Sequence, residues 1–321
     1  MMTYVKARAP INIALIKYWG KKDIKEVLPY QPSLSLSLDI FETETVIKKA
    51  NHDTFVFTIN NEEDTKMKDK VEAFIRLFDR NIHLKGIEIH TKNTGPTAAG
   101  LASSASGFAA LSVAVNRFFN FNHDLASLAA LTRKGSGSAI RSLLPKAVAW
   151  LPDGHIEQVD FPFDDVCLGV VIINDQKKSI GSTEAMKLSV ETSPLYAEWV
   201  KQSFIDFDAF KEALQQRDFN ELGSITEKNA LFMHEVCHQT IPKIQYLSPS
   251  SYDVISLIQS LRTTLGIDCF VTMDAGPNVK VLTKVHHQSM IEKHLKEKGY
   301  DILWSGIDQK GAVILDEVDS Y

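Results

Sequence analysis

Between Pro96 and Gly107 the chain runs Pro-Thr-Ala-Ala-Gly-Leu-Ala-Ser-Ser-Ala-Ser-Gly, then passes without a break into an apolar stretch at 108–119. Side chains this small let a backbone come close to another surface, and the apolar continuation predicts a buried helix whose first amides lack partners in the helix. Such a start offers amides and the positive end of a dipole to an anion, with the hydroxyls of Ser103, Ser104 and Ser106 able to reach phosphate oxygens or magnesium. It is not a Walker loop, because no Gly-Lys-Ser/Thr follows. A helix start that is merely tightly packed accounts equally well for the same residues.

Strands dominate ahead of that helix. Residues 5–19 read as extended with a turn at Ala9-Pro10, and residues 33–38 alternate Ser and Leu strictly, the period of a half-buried strand. Residues 43–48 and 54–59 read as further strands, 66–80 has apolar residues at helical spacing, and 87–90 is a short strand. A second helix over 125–133 leads into Gly135-Ser-Gly-Ser138. Beyond it, 168–173 reads as a buried strand and 183–238 as mainly helical, with breaks near Pro194 and Gly223. Residues 252–265 and 290–298 read as helices, and 269–273 and 278–282 as strands joined by Asp274-Ala-Gly-Pro277. Strands and helices mix without a regular period, so the expected class is α+β rather than a barrel or doubly wound sheet. At 321 residues the chain exceeds one ordinary core, which predicts two domains with a boundary near Gly181 and a cleft between them.

Composition narrows the function classes. A hydrophobic share of 44% and a charged share of 23% are those of a globular chain. The early apolar run Ile13 to Ile16 is closed by Lys17, too short for a signal-peptide core, and no stretch approaches a membrane span. Cys167, Cys237 and Cys269 are odd in number and far apart, which fits a reducing compartment, so cytoplasm is the expected location. With 35 basic and 40 acidic residues the net charge is −5, so no overall field draws nucleic acid or an anionic membrane; an anionic ligand needs a local basic patch.

Five further segments can carry chemistry. Gly135-Ser-Gly-Ser-Ala-Ile-Arg141 combines room for close approach, hydroxyl donors and a guanidinium able to fork onto a carboxylate or phosphate, although a loop closing a helix looks the same. Asn12, Lys17, Tyr18, Lys21 and Lys22 gather basic donors suited to a polyphosphate, as do Lys177 and Lys178; a solvated lysine run is the simpler account of each. An apolar strand delivers Asp274 to a Gly-Pro turn, a rigid mount for a catalytic group and also a common place for a capping Asp. His234-Glu-Val-Cys-His238 matches the HExxH pattern of zinc proteases; with no third ligand at the extended spacing, it reads as a coincidence on a helix surface.

In chain order, Asn-Ile-Ala-Leu-Ile-Lys-Tyr-Trp-Gly-Lys-Lys (12–22), the small-residue run (96–107), Gly-Ser-Thr (181–183), Ser-Val-Glu-Thr-Ser-Pro (189–194) and Met-Asp-Ala-Gly-Pro-Asn-Val-Lys (273–280) resemble the diphosphomevalonate decarboxylases. The serine-rich run alone marks only the wider GHMP kinase superfamily. The resemblance implies an N-terminal domain like domain 2 of ribosomal protein S5 (1–183) that binds ATP and substrate, and a ferredoxin-like C-terminal domain (184–321) that carries the catalytic Asp. It implies ATP and magnesium as cofactors, mevalonate 5-diphosphate as substrate and a homodimer as the assembly. Asp274 is then the base at the C3 hydroxyl, Lys17 its partner, and Arg141, oriented by Asn12, the holder of the substrate carboxylate. Pro96, Gly100, Leu101, Ala102, Ser103, Ser104 and Ser106 form the ATP cradle, with Ser103 or Ser104 reaching ATP-bound magnesium. Tyr18, Lys21, Ser136, Gly137, Ser138, Ser182 and Thr183 hold the diphosphate end. Glu184 follows Thr183 here, which puts a negative charge next to that end.

Overall fold

The structure, a computed structural model, describes residues 2–94, 103–173 and 180–319. Its first part comprises strands β1 (Tyr4–Ile16), β2 (Lys21–Asp23), β3 (Leu28–Pro29), β4 (Ser33–Lys49), β5 (Phe55–Ile59) and β6 (Glu62–Glu63), helix α1 (Thr65–Ile75), strand β7 (Ile87–Asn93) and helices α2 (Ser103–Phe118) and α3 (Leu125–Gly135). A 3-10 turn (Gly137–Ser142) precedes β8 (Ala147–Trp150), β9 (Ile156–Val159) and β10 (Val166–Ile172). Four helices follow, α4 (Ser182–Thr192), α5 (Tyr196–Gln216), α6 (Phe219–His238) and α7 (Pro249–Leu265). The chain then closes with β11 (Cys269–Met273), β12 (Val279–Lys284), α8 (Gln288–Glu297), β13 (Asp301–Ser305) and β14 (Val313–Val318).

One sheet runs β14-β1-β4-β7-β5-β6, with β8 pairing β4 and β9 pairing β8; a second runs β11-β12-β10-β13. The sheets do not divide the chain at a single point. β10, ahead of Gly181, lies in the second sheet, and β14 returns to pair antiparallel with β1, Tyr4 opposite Val318. Alternation along the strands explains how the halves are joined. Ile11, Ile13 and Leu15 of β1 and Leu34, Leu36 and Leu38 of β4 point into a core that also takes Leu168 and Val170 of β10, Phe207 and Phe210 of α5 and Phe270 of β11. Because one apolar core spans both sheets, groups mounted on β1 and β11 are held at fixed separation. Helix α2 covers the other face, and the small residues Ala105, Ala109 and Ala110 are buried there, so close packing is one use of this small-residue composition.

Several sequence expectations are corrected. No turn occurs at Ala9-Pro10: β1 continues through it with a register shift between Pro10 and Ile11 against β4. The ladder to β14 ends at Arg8, so on that side the proline deprives no bond. Residues 33–38 and 43–48 belong to the single strand β4. That strand is buried on both faces at its start rather than on one, with Ser33, Ser35 and Ser37 fully inaccessible, because the turn carrying Arg141 covers the serine face. The helical break expected near Gly223 falls instead at Arg217, whose φ of 56° ends α5. Gly223 lies inside α6, where a Cβ would meet the Phe270 ring at 2.0 Å.

Candidate active site

Asp274 follows the last residue of β11, and the turn that carries it is tied down on several sides. Its own carbonyl accepts the Gly276 N–H at 2.7 Å, the Ser251 hydroxyl donates to the Pro277 carbonyl at 2.7 Å, and Asn278 Oδ1 accepts the Ile173 N–H at 2.8 Å. Lys17, just past the end of β1, places Nζ 2.8 Å from Asp274 Oδ1 and 2.9 Å from the Ala14 carbonyl. Its backbone N–H donates to Asn229 Oδ1 at 2.8 Å, and the Asn229 amide is oriented in turn by Asp206 Oδ2 at 2.7 Å. Lys280 of β12 contacts the other carboxylate oxygen, Nζ to Oδ2 3.1 Å. Both lysine side chains are buried, whereas the Asp274 side chain keeps 38% of its surface open.

These contacts set the charge states. Desolvation works to raise the Asp274 pKa, but Lys17 and Lys280 outweigh it and hold the carboxyl well below the usual carboxylate range. Burial pushes the Lys17 ammonium down to about 8, opposed by Asp274 and reinforced by the positive charges of Lys280 and Arg141. Arg141 is 3% exposed, and burial pushes its guanidinium down to about 10. Its Nε and Nη1 donate to Ser35 and Ser33 at 3.1 and 2.7 Å, and among the described residues no carboxylate lies within ion-pair reach. A cation buried on neutral hydroxyls is costly unless an anion arrives, which makes Arg141 a candidate to receive one.

Asp274, Lys17 and Arg141 line one cavity of about 400 Å³ together with Asn12, Tyr18, Lys21, Ser104, Ser136, Gly137, Ser138, Ser182 and Thr183. Its basic side chains are Lys17, Lys21, Lys70, Arg133, Lys134 and Arg141, and Asp274 is the one carboxylate among the described lining residues, so the cavity suits a polyanion. Arg133 and Lys134 share Glu26, at 3.5 and 3.1 Å. Lys21 and Lys70 have no such partner among the described residues, and desolvation lowers both pKa values, with Lys70 adding to the effect on Lys21. Tyr18 packs on Trp150 at 4.7 Å and keeps a buried hydroxyl without a partner among the described residues. Gly137 lies beneath it, where a Cβ would stand 3.0 Å from that hydroxyl, a tight contact. Ser182 and Thr183 open helix α4. Ser104 is exposed and also borders a smaller apolar cavity of about 100 Å³, walled by Phe57, Ile59, Met67, Val71 and Phe108, with Thr91 and Asn93 as its polar edge.

Other expected residues sit elsewhere. Ser106 is buried, with its hydroxyl 2.7 Å from that of Thr43 and outside the cavity lining. Asn12 donates to the Ser138 carbonyl at 3.1 Å and to Ser142 Oγ at 2.8 Å, so it anchors the turn that bears Arg141, while Ser33 and Ser35 hold the guanidinium itself. Lys22 is exposed, and so is Glu184, which is not among the cavity residues. Pro96, Gly100, Leu101, Ala102, the Ser103 side chain, Lys177 and Lys178 lie outside the described residues. In the HExxH segment, His234 is buried edge-on to Tyr246 and desolvation pushes its imidazole down to about 3, while His238 contacts Glu235 at 3.7 Å and the Tyr252 hydroxyl at 3.5 Å. No group of three His, Cys, Asp or Glu side chains that could hold a metal occurs among the described residues. Sequence reading missed Lys280, Ser33, Ser35 and Lys70. A signal was present for the two serines, which with Ser37 fill one face at the start of β4.

Comparison with known proteins gives this geometry a family. A family model described as a diphosphomevalonate decarboxylase-like N-terminal domain matches residues 9–159, and one for the mevalonate 5-diphosphate decarboxylase C-terminal domain matches 168–301. The diphosphomevalonate decarboxylase of Ganoderma lucidum is 34% identical over 90% of this chain and 81% of its own length; that of Homo sapiens is 33% identical over 87% and 76%. Among solved structures, mevalonate diphosphate decarboxylase from Staphylococcus aureus superposes with a TM-score of 0.92 at 36% identity, covering 98% of this chain and 99% of that one. A structure of MDDEF in complex with MVAPP, AMPPCP and magnesium gives 0.91 at 36% identity over 98% and 100%. With both family models matched in order and relatives alike along most of its length, the chain belongs to the diphosphomevalonate decarboxylase family and has its two-domain GHMP-kinase-like fold.

Proposed function

We propose that this chain catalyses the ATP-dependent decarboxylation of mevalonate 5-diphosphate to isopentenyl diphosphate, releasing ADP, phosphate and carbon dioxide. The observation that carries this reading is the pairing, in one cationic cavity, of an ionised Asp274 held by Lys17 with an Arg141 that has no carboxylate partner among the described residues. The first can receive a proton and the second can hold a substrate carboxylate, and decarboxylative elimination needs both.

In this reading the tertiary C3 hydroxyl faces the open side of Asp274. Two neighbouring ammonium groups make Asp274 a weak base, so proton transfer comes late, once the attacking oxygen is bonding to phosphorus and has become acidic. Phosphate then leaves C3, the electrons of the bond to the carboxylate carbon form the alkene, and carbon dioxide departs. Arg141 holds the carboxylate so that the breaking C–C bond aligns with the departing phosphate. Lys21 and Tyr18, with Ser136, Gly137, Ser138, Ser182 and Thr183, bind the diphosphate end.

The residues fit ATP and magnesium. The apolar side cavity, with a polar edge at Thr91 and Asn93, suits a purine, and Ser104 borders both it and the cationic space suited to the phosphates. Hydroxyls with no acidic cluster among the described residues suit a magnesium ion carried mainly by phosphates and water, whose chemistry is to neutralise phosphate charge. Residues 1–183 thus supply most ligands and 184–321 the Asp. A homodimeric, cytoplasmic enzyme completes the proposal; no helix among the described residues is long and apolar enough to cross a membrane.

The deciding experiment supplies magnesium, ATP and, in parallel, mevalonate, its 5-phosphate and its 5-diphosphate, following ADP and carbon dioxide together. Equal yields of both from the diphosphate alone are expected. ADP without carbon dioxide makes the protein a kinase, and neither product makes it a binding protein on this fold.

A further inference from the structure

Two ammonium groups hold Asp274, but only one of them reaches the cavity. Both are almost wholly buried, Lys17 1% and Lys280 2% exposed, but Lys17 lines the wall and Lys280 is not among the described lining residues. Its Nζ lies 3.1 Å from Asp274 Oδ2 and 3.2 Å from the carbonyl of Asn278 in the same turn. Around it, Val279, Val281 and Leu282 of β12 are fully buried, a setting in which a lysine is costly unless its charge is matched. The charged and titratable groups facing this carboxylate from other elements are Lys17 after β1, Arg141 on the 3-10 turn and His234 on α6, whose imidazole is held neutral by burial and nearby cations. Lys280 therefore adds a third cation where two already stand. Its side-chain ion pair is with the one carboxylate among the described residues that line the cavity.

We propose that Lys280 is a positioning residue for the reaction: by binding Oδ2 it fixes the rotation of the Asp274 carboxylate, so that the unshared lone pairs face the substrate hydroxyl. The inference rests on the role given to Asp274 above. Because Lys280 does not reach the cavity, it acts on turnover rather than on substrate affinity, and it does so only through Asp274.

In Lys280→Met, kcat should fall about 100-fold, the size of effect that a misoriented reacting group produces, with KM for the diphosphate substrate nearly unchanged. The acid limb of the kcat profile should move to higher pH, since Asp274 loses one of its two cations. Combined with Asp274→Asn, Lys280→Met should cost no further activity. An acid limb that stays in place, or losses that multiply in the double variant, overturns the proposal. Lys280→Gln repeats the series should the methionine variant fail to fold. On the unaltered chain, a carbon-13 NMR titration of the aspartate carboxyls should find Asp274 ionised well below the ordinary range; a midpoint inside that range also overturns the role. That titration needs no turnover, so it is separate from the product assay, which alone decides the decarboxylase reading.

Discussion

Lys17 shows how far one residue's chemistry depends on its surroundings. In sequence it closes a short apolar run; in the fold it is one of the largest fully buried side chains, satisfied by Asp274 and the Ala14 carbonyl. Its ammonium, pushed down to about 8, should give the ligand-free enzyme an alkaline limb: kcat/KM falls as pH rises through that value, because the neutral amine no longer offsets the carboxylate. Lys17→Arg, which holds its proton through this range, should move the limb upward. An alkaline limb that is identical in both proteins removes Lys17 as its source. Asp274 was legible as a candidate at the end of an apolar strand, Lys17 at the close of an apolar run, and Arg141 as a guanidinium in a Gly/Ser loop. Lys280 was not, since nothing in Val-Lys-Val-Leu says which face of β12 its lysine takes until Asp274 is seen beside it.

At the scale of elements, the long apolar patterns were read well and their joints less so. Strand β11 matches its sequence reading, and helices α7 and α8 depart from theirs by only a few residues, because buried periodicity dominates such segments. Local punctuation misled twice. Pro10 suggested a turn and became a register shift within β1, and Gly223 suggested a break and became the point where α6 packs on Phe270. Gly223→Ala should therefore destabilise the protein by roughly 1–3 kcal/mol despite alanine's better helix propensity, because its methyl overlaps the ring. A lowered denaturant midpoint at unchanged slope is expected; a raised midpoint would show that Phe270 moves aside without cost. The serines of β4 tell the same story from the other side. Strict alternation announced a face of hydroxyls, but its use as a seat for Arg141 required a turn more than a hundred residues away.

For the molecule as a whole, the cavity's surplus of positive charge is the organising fact. It is tolerated because a core shared by both sheets holds Lys17 and Arg141 in place against their repulsion, which Asp274 partly offsets. A ligand that matches those charges should stabilise the fold. Mevalonate 5-diphosphate at a hundred times its dissociation constant should add about 2.7 kcal/mol, seen as a rise in Tm that shrinks with added salt. Mevalonate without phosphate should do far less, and equal shifts from both would contradict a polyanion site. By itself the sequence determined the family, the α+β class, the small-residue helix start and the residues able to handle protons and carboxylates, because these depend on residue type, order and local period. The tertiary structure alone decided which of them meet: that Ser106 turns into the sheet, that Arg141 rests on Ser33 and Ser35, and that Asp274 sits between two lysines. Side-chain partners so distant along the chain are chosen by packing, and the charge states that follow from burial exist only once the chain has closed around them.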